Sequence, residues 1–250
     1  MDRNKLCSFK SDISNIEIPK FLNNPFGNII PKIARIAAKE FQDHIAIVVD
    51  DWEYDFNTRK GKMFGVLVVQ THDSEYAYLR AVSGRLSRHT DYSDLVPSVF
   101  DDASDDYFIN KGMTAVTELG TRIKEATDEL AIATLKEERR LKSISIQKKL
   151  FEHYDFLNLS GNKTNLLEIF SKNDIFNPPS ATGECAAPKL IQYALQHKLK
   201  PIAIAEFWWG KPAPKNTRIE REFYPACLDK CKPILEYMLE DSKLYSKRRI

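Results

Sequence analysis

The fold is decided between Pro178 and Leu239, where the chain reads P-P-S-A-T-G-E-C-A-A-P-K-L-I-Q-Y-A-L-Q-H (178–197), then P-I-A-I-A-E-F-W-W-G (201–210), then F-Y-P-A-C-L-D-K-C-K-P-I-L (223–235). The first string predicts a helix over Ala186–His197 opened by Cys185, with Pro188 in the first turn, where a backbone N–H is not needed. The second is apolar almost throughout and predicts a strand over Pro201–Trp209 buried on both faces. The third predicts a helix over Cys227–Leu239. Three of the four cysteines thus stand at two helix starts joined through one strand.

Outward from that unit, Lys62–Gln70 is rich in β-branched residues and Tyr76–Ser83 repeats the pattern after the turn T-H-D-S-E, so the two predict a hairpin. Pro31, then Ile33, Ile36, Ala37 and Phe41 at helical spacing, predict a helix over Pro31–His44, followed by a short strand at Ile45–Val49. Residues 1–30, punctuated by Pro19, Pro25 and Gly27, read as an extended leader that wraps the body. From Ala115 to about Tyr154 the pattern is helical and highly charged, one long helix or a helical pair, with a short helix at Asn165–Phe170 capped by Thr164. The expected fold is α/β: a mixed sheet flanked by helices, one domain formed by 31–114 and 156–240, a charged helical insertion at 115–155 and a basic tail at 241–250.

A net charge of +2 over 250 residues points to neither nucleic acid nor membrane, so any RNA contact must come from local charge. No apolar run approaches the length of about 20 residues needed to span a bilayer, and Met1–Lys20 lacks the apolar core of a secretory signal. The default is a cytoplasmic protein, in which clustered cysteines bind metal or do chemistry rather than form disulfides. Cys7, remote from the others, is expected to be a free thiol.

A thiolate at a helix start is favoured by the helix dipole and its free N–H groups. Cys185, Cys227 and Cys231 could therefore present three sulfurs to one Zn²⁺, the number of protein ligands in an open zinc site. The layout resembles the zinc-dependent nucleobase deaminases: a hairpin, a helix led by a ligand, a strand, then a helix opened by Pro-Cys. The resemblance implies a deaminase-like fold and a general acid/base Glu two residues after the first ligand. That position is Ala187, and the pair is spaced C-x₃-C instead of C-x₂-C. Glu184 and Glu206 are the carboxylates nearby that could take the catalytic place. Glu206, inside an apolar strand, needs a partner if buried.

The strings G-E-C-A-A-P-K-L-I-Q-Y-A, A-E-F-W-W-G and F-Y-P-A-C-x₃-C-x-P-I-L, with G-K-M-F-G-V-L-V-V-Q, A-V-S-G-R-L and V-P-S-V-F-D upstream, resemble the N-terminal accessory region of some bacterial RNA pseudouridine synthases of the RluA type. The resemblance covers about residues 20–240. It implies an accessory module that helps a synthase, on this chain or a separate one, to hold ribosomal or transfer RNA. The synthase motif Arg-Leu-Asp is not matched: Arg85-Leu86 is followed by Ser87, in the part that corresponds to the accessory region. Candidate RNA contacts are Arg139, Arg140, Lys148 and Lys149 on the charged helix and Trp208, Trp209, Lys211 and Lys215 at the end of the last strand, since cations meet phosphates and rings stack on bases. In strand alternation one tryptophan faces the core and the other the opposite side. A zinc enzyme of deaminase type, a structural zinc domain and a protein–protein docking domain are the alternatives.

Overall fold

The computed structural model describes residues 5–52, 54–56, 59–86, 93–100, 108–212 and 217–240. The hairpin forms as expected, with β2 at Lys62–Gln70 and β3 at Tyr76–Val82 in antiparallel register, Val66 opposite Arg80. On its other side β2 pairs with β6, Lys200–Trp209, so that Lys62 meets Trp209 and Gly65 meets Glu206. A two-residue β1, Cys7–Ser8, flanks β3, giving the order β1-β3-β2-β6. Every ladder in this sheet is antiparallel, which corrects the expected mixed sheet: the strands that run parallel, β3 and β6, are separated by β2.

Both faces of the sheet are covered. Phe64, Val66 and Val68 join Phe207 and Trp209 in one core, while Leu67, Val69 and Ile204 join the other. The first core is closed by α1, Lys32–Val48. Its buried side chains Ile33, Ala37, Phe41 and Ile45 recur every four residues, so the helix runs on through the segment expected to be a strand. Phe41 meets Phe64 and Phe207 edge-on, with ring centroids 5.7 and 5.8 Å apart. The second core is closed by α5, Ala186–Gln196, and by α6, Lys232–Met238. This last helix is shorter than expected, because the chain turns from Leu228 to Cys231 before Pro233 sets the first helical turn.

The charged segment is a pair, α2 (Phe108–Glu125) and α3 (Glu129–Phe151), broken where the Asp128 side chain accepts the Ala131 N–H at 2.8 Å. Val116 and Leu119 on α2 and Ile146 and Phe151 on α3 are buried, while most of α3 is exposed. Two three-residue strands, β4 (Asp155–Leu157) and β5 (Lys163–Asn165), form a second small sheet that the polar sequence did not announce. The following α4, Leu166–Ser171, is capped by Asn165, not Thr164: its side chain accepts the Leu167 N–H at 2.9 Å.

Residues from the N-terminal segment bond to α1 and to β6. Glu40 on α1 accepts the N–H groups of Lys10 and Ser11, at 3.0 and 2.7 Å, and the Tyr78 hydroxyl at 3.2 Å. Asn23 donates to the Ile204 carbonyl at 3.0 Å and accepts the Ile204 N–H at 2.8 Å, doing the work of a neighbouring strand. Glu222 and Tyr224 bond to Trp208 and Glu206 further along β6, so its outer edge is paired over most of its length, as edge strands must be if they are not to recruit other chains. Among the described residues no helix is long and apolar enough to cross a membrane. The basic tail at 241–250, the acidic run at 101–106 and Ser87 lie outside the described residues.

Candidate metal centre

The approach to α5 is built by a tight turn. Thr182 donates its hydroxyl to the Pro179 carbonyl at 2.6 Å, and Gly183 follows at φ +89 with Tyr154 against it, where a Cβ would lie 2.8 Å from the ring. Only glycine combines that φ with that closeness. Cys185 then takes the N-cap position in extended geometry, φ −74 and ψ 157. From the other side, the turn before α6 brings Cys227 in half-exposed and Cys231 in buried, at the N-cap of that helix.

The three sulfurs converge. Cys185 Sγ lies 3.9 Å from Cys227 Sγ, and Cys227 Sγ lies 3.2 Å from Cys231 Sγ. All three are within 4.8 Å of one another. Zn–S bonds near 2.3 Å set tetrahedral sulfurs about 3.8 Å apart, so the first spacing already fits and the second needs to open by roughly half an ångström. An all-sulfur donor set suits zinc. Contacts with the Cys185 and Cys231 sulfurs hold the Cys227 pKa far down against its burial, with the N–H groups of Lys230 and Cys231 helping. The Cys227 contact, with burial, pushes Cys185 up against the Cys231 contact, and the Cys185 and Cys227 contacts, with burial, push Cys231 up. A bound cation would displace whatever protons the three thiols carry, since thiolates are the ligands.

Two carboxylates flank the centre, neither from position 187. Glu206, on β6, is 7% exposed, and its Oε1 accepts the Ala187 N–H at 3.2 Å. The backbone of the residue that lacks a carboxylate is therefore bonded to a carboxylate from the facing strand. Burial pushes Glu206 up to about 7, and the Cys227 charge adds to this, against the Ala187 N–H and Arg218. Gly65 makes the room: a Cβ there would lie 3.1 Å from Ala186 and Leu190 and 3.3 Å from Glu206. Glu184 accepts the Tyr154 hydroxyl on one oxygen and the Ser98 hydroxyl, at 3.0 Å, on the other. Lys189, one helical turn beyond Cys185, is 3% exposed and donates to the Gly84 carbonyl at 3.2 Å. Burial pushes its pKa down to about 8 against the attraction of Glu184 and Cys185. Sequence reasoning passed over Lys189, Tyr154 and Ser98; only the four-residue spacing from Cys185 signals the first.

The other candidates are dispersed. Arg139, Arg140, Lys148 and Lys149 are exposed on α3, where Arg140 forks onto Glu137 at 2.6 and 2.7 Å. Trp208 and Trp209 point to opposite sides of β6, yet both are buried, 6% and 5% exposed, because both faces of the strand are covered. Their rings are already faced by Arg218 and Arg221, 5.1 and 5.0 Å from the centroids, so neither indole is a free platform for a base. Lys211 is exposed, and Lys215 lies outside the described residues. His197 caps the C-terminus of α5, away from the sulfurs.

No family model, curated protein or solved structure matches the chain.

Proposed function

We propose that this chain is a zinc-binding domain in which Cys185, Cys227 and Cys231 hold the metal, and that it serves RNA modification as an RNA-contacting accessory module. The observation that carries the zinc reading is the convergence of three sulfurs from two helix starts to within 4.8 Å. Zinc would tie α5 to the turn before α6. The succession of hairpin, Cys-led helix, strand and second Cys-bearing turn supports a deaminase-like layout. Zinc that remains on the wild-type chain through purification and is lost when Cys227 becomes Ser supports the centre; equal metal in both overturns it.

The RNA reading is supported by the accessory-region strings and by exposed cations. On α3 six basic residues face three acidic ones. Binding to phosphates releases counterions, so affinity for single-stranded RNA, measured by fluorescence anisotropy, is expected to fall steeply as salt is raised. Affinity that ignores salt, or none at low salt, contradicts the reading.

A catalytic role for the centre is a second reading, favoured by one observation: Glu206 supplies a carboxyl at Ala187, held up to about 7, in the range where proton transfer is effective at neutral pH.

A further inference from the structure

Among the described residues, the end of the sheet where β2 begins and β6 ends gathers several cations that form no ion pair. Lys62, the first residue of β2, donates to the Arg85 carbonyl at 3.1 Å, next to the Gly84 carbonyl that Lys189 uses. Arg59 and Lys62 both lie against the Tyr54 ring, 5.4 and 5.2 Å from its centroid. Across the ladder, the Gly61 N–H bonds the Lys211 carbonyl at 2.8 Å, and Arg218 lies over Trp208 and Tyr224 at 5.1 and 5.3 Å. Among the described residues none of Arg59, Lys62, Lys189, Lys211 and Arg218 is ion-paired with a carboxylate. Of the two carboxylates that flank the sulfur centre, Glu184 is held by two hydroxyls and Glu206 is buried against Ala187. The charges here act on one another: after burial, Arg59 lowers Lys62, while Glu184 and Cys185 raise Lys189 and Arg85 and Lys62 lower it.

Folding like charges together costs stability unless a ligand repays it. On α3, by contrast, Glu137 already neutralises Arg140. We propose that the phosphodiester backbone of single-stranded RNA is held at this sheet end, beside the Cys185–Cys227–Cys231 centre, by Arg59, Lys62, Lys211 and Arg218 over a floor formed by Lys189. The cations stand on both sides of the β2–β6 ladder, so they suit successive phosphates along a strand better than one free anion. The proposal rests on the RNA reading above and moves the main contact from α3 to the sheet end.

The test compares two variants with the full-length chain by anisotropy of a labelled single-stranded RNA oligonucleotide, with circular dichroism melts to show that each is folded. Arg59→Ala with Lys62→Ala is expected to weaken binding about tenfold and to lower the salt slope by about 1.4, roughly 0.7 per single-strand phosphate contact removed. Replacing Arg139, Arg140, Lys148 and Lys149 together by Ala is expected to change affinity less than about threefold. The reverse pattern overturns the sheet-end site and leaves RNA binding on α3. No RNA binding by the wild-type chain overturns the RNA reading itself. Displacement of RNA by inorganic phosphate at matched phosphate concentration overturns the strand as ligand.

Discussion

At the scale of single residues, Glu206 is the group whose behaviour is most tightly bound to its surroundings. Its strand, its apolar neighbours and its glutamate identity were legible in the sequence; its partner was not, because Ala187 contributes a backbone N–H and no side chain. Unfolded, the carboxyl titrates near about 4.3; folded, burial above all holds it up to about 7. Between those values the native state binds the extra proton, so stability falls as pH rises through that window. It is lower above the window by on the order of 3 kcal/mol. In metal-free protein, Glu206→Gln is expected to flatten this slope and to be the more stable chain at mildly alkaline pH. Urea melts at acid and alkaline pH measure it, and an unchanged slope contradicts the assignment. The tryptophans carry the opposite lesson: alternation set their directions correctly, but only the two-sided core shows that neither ring is free.

At the scale of elements, strong apolar periodicity was readable and boundaries set by side-chain bonds were not. The hairpin, α5 and β6 stand where their patterns put them. The helix α1 outran its expected end because Ile45 continues the buried ladder of Ile33, Ala37 and Phe41, a spacing that a run of apolar residues disguises as a strand. The cap of α4 shifted by one residue to Asn165, whose side chain bonds both the helix start and the carbonyls of Phe151, Glu152 and Tyr154. The break between α2 and α3 rests on Asp128 in the same way. Asp128→Ala is expected to cost about 1 kcal/mol and to lower the thermal midpoint without changing zinc content. A variant as stable as wild type shows that the α2–α3 turn is fixed by helix packing instead.

At the scale of the whole molecule, one antiparallel sheet covered on both faces has the three clustered cysteines, Glu206 and Lys189 towards one end. The reason is topological: α5 begins, and β6 finishes, on the same side, and the turn before α6 returns there. The three cysteines were legible as a metal set from their helix-start positions. The cationic ring of Arg59, Lys62, Lys189, Lys211 and Arg218 was not, because its members come from four separate segments and meet only through strand pairing. Most depends on the proposed zinc site at the three sulfurs. It is tested by metal content, by plasma mass spectrometry, of protein purified without chelator or affinity metal, for wild type and for the Cys185→Ser, Cys227→Ser and Cys231→Ser chains. One zinc per wild-type chain is expected, with a loss of at least about tenfold in affinity for each variant; a wild-type chain that stays metal-free on dialysis against zinc overturns the site.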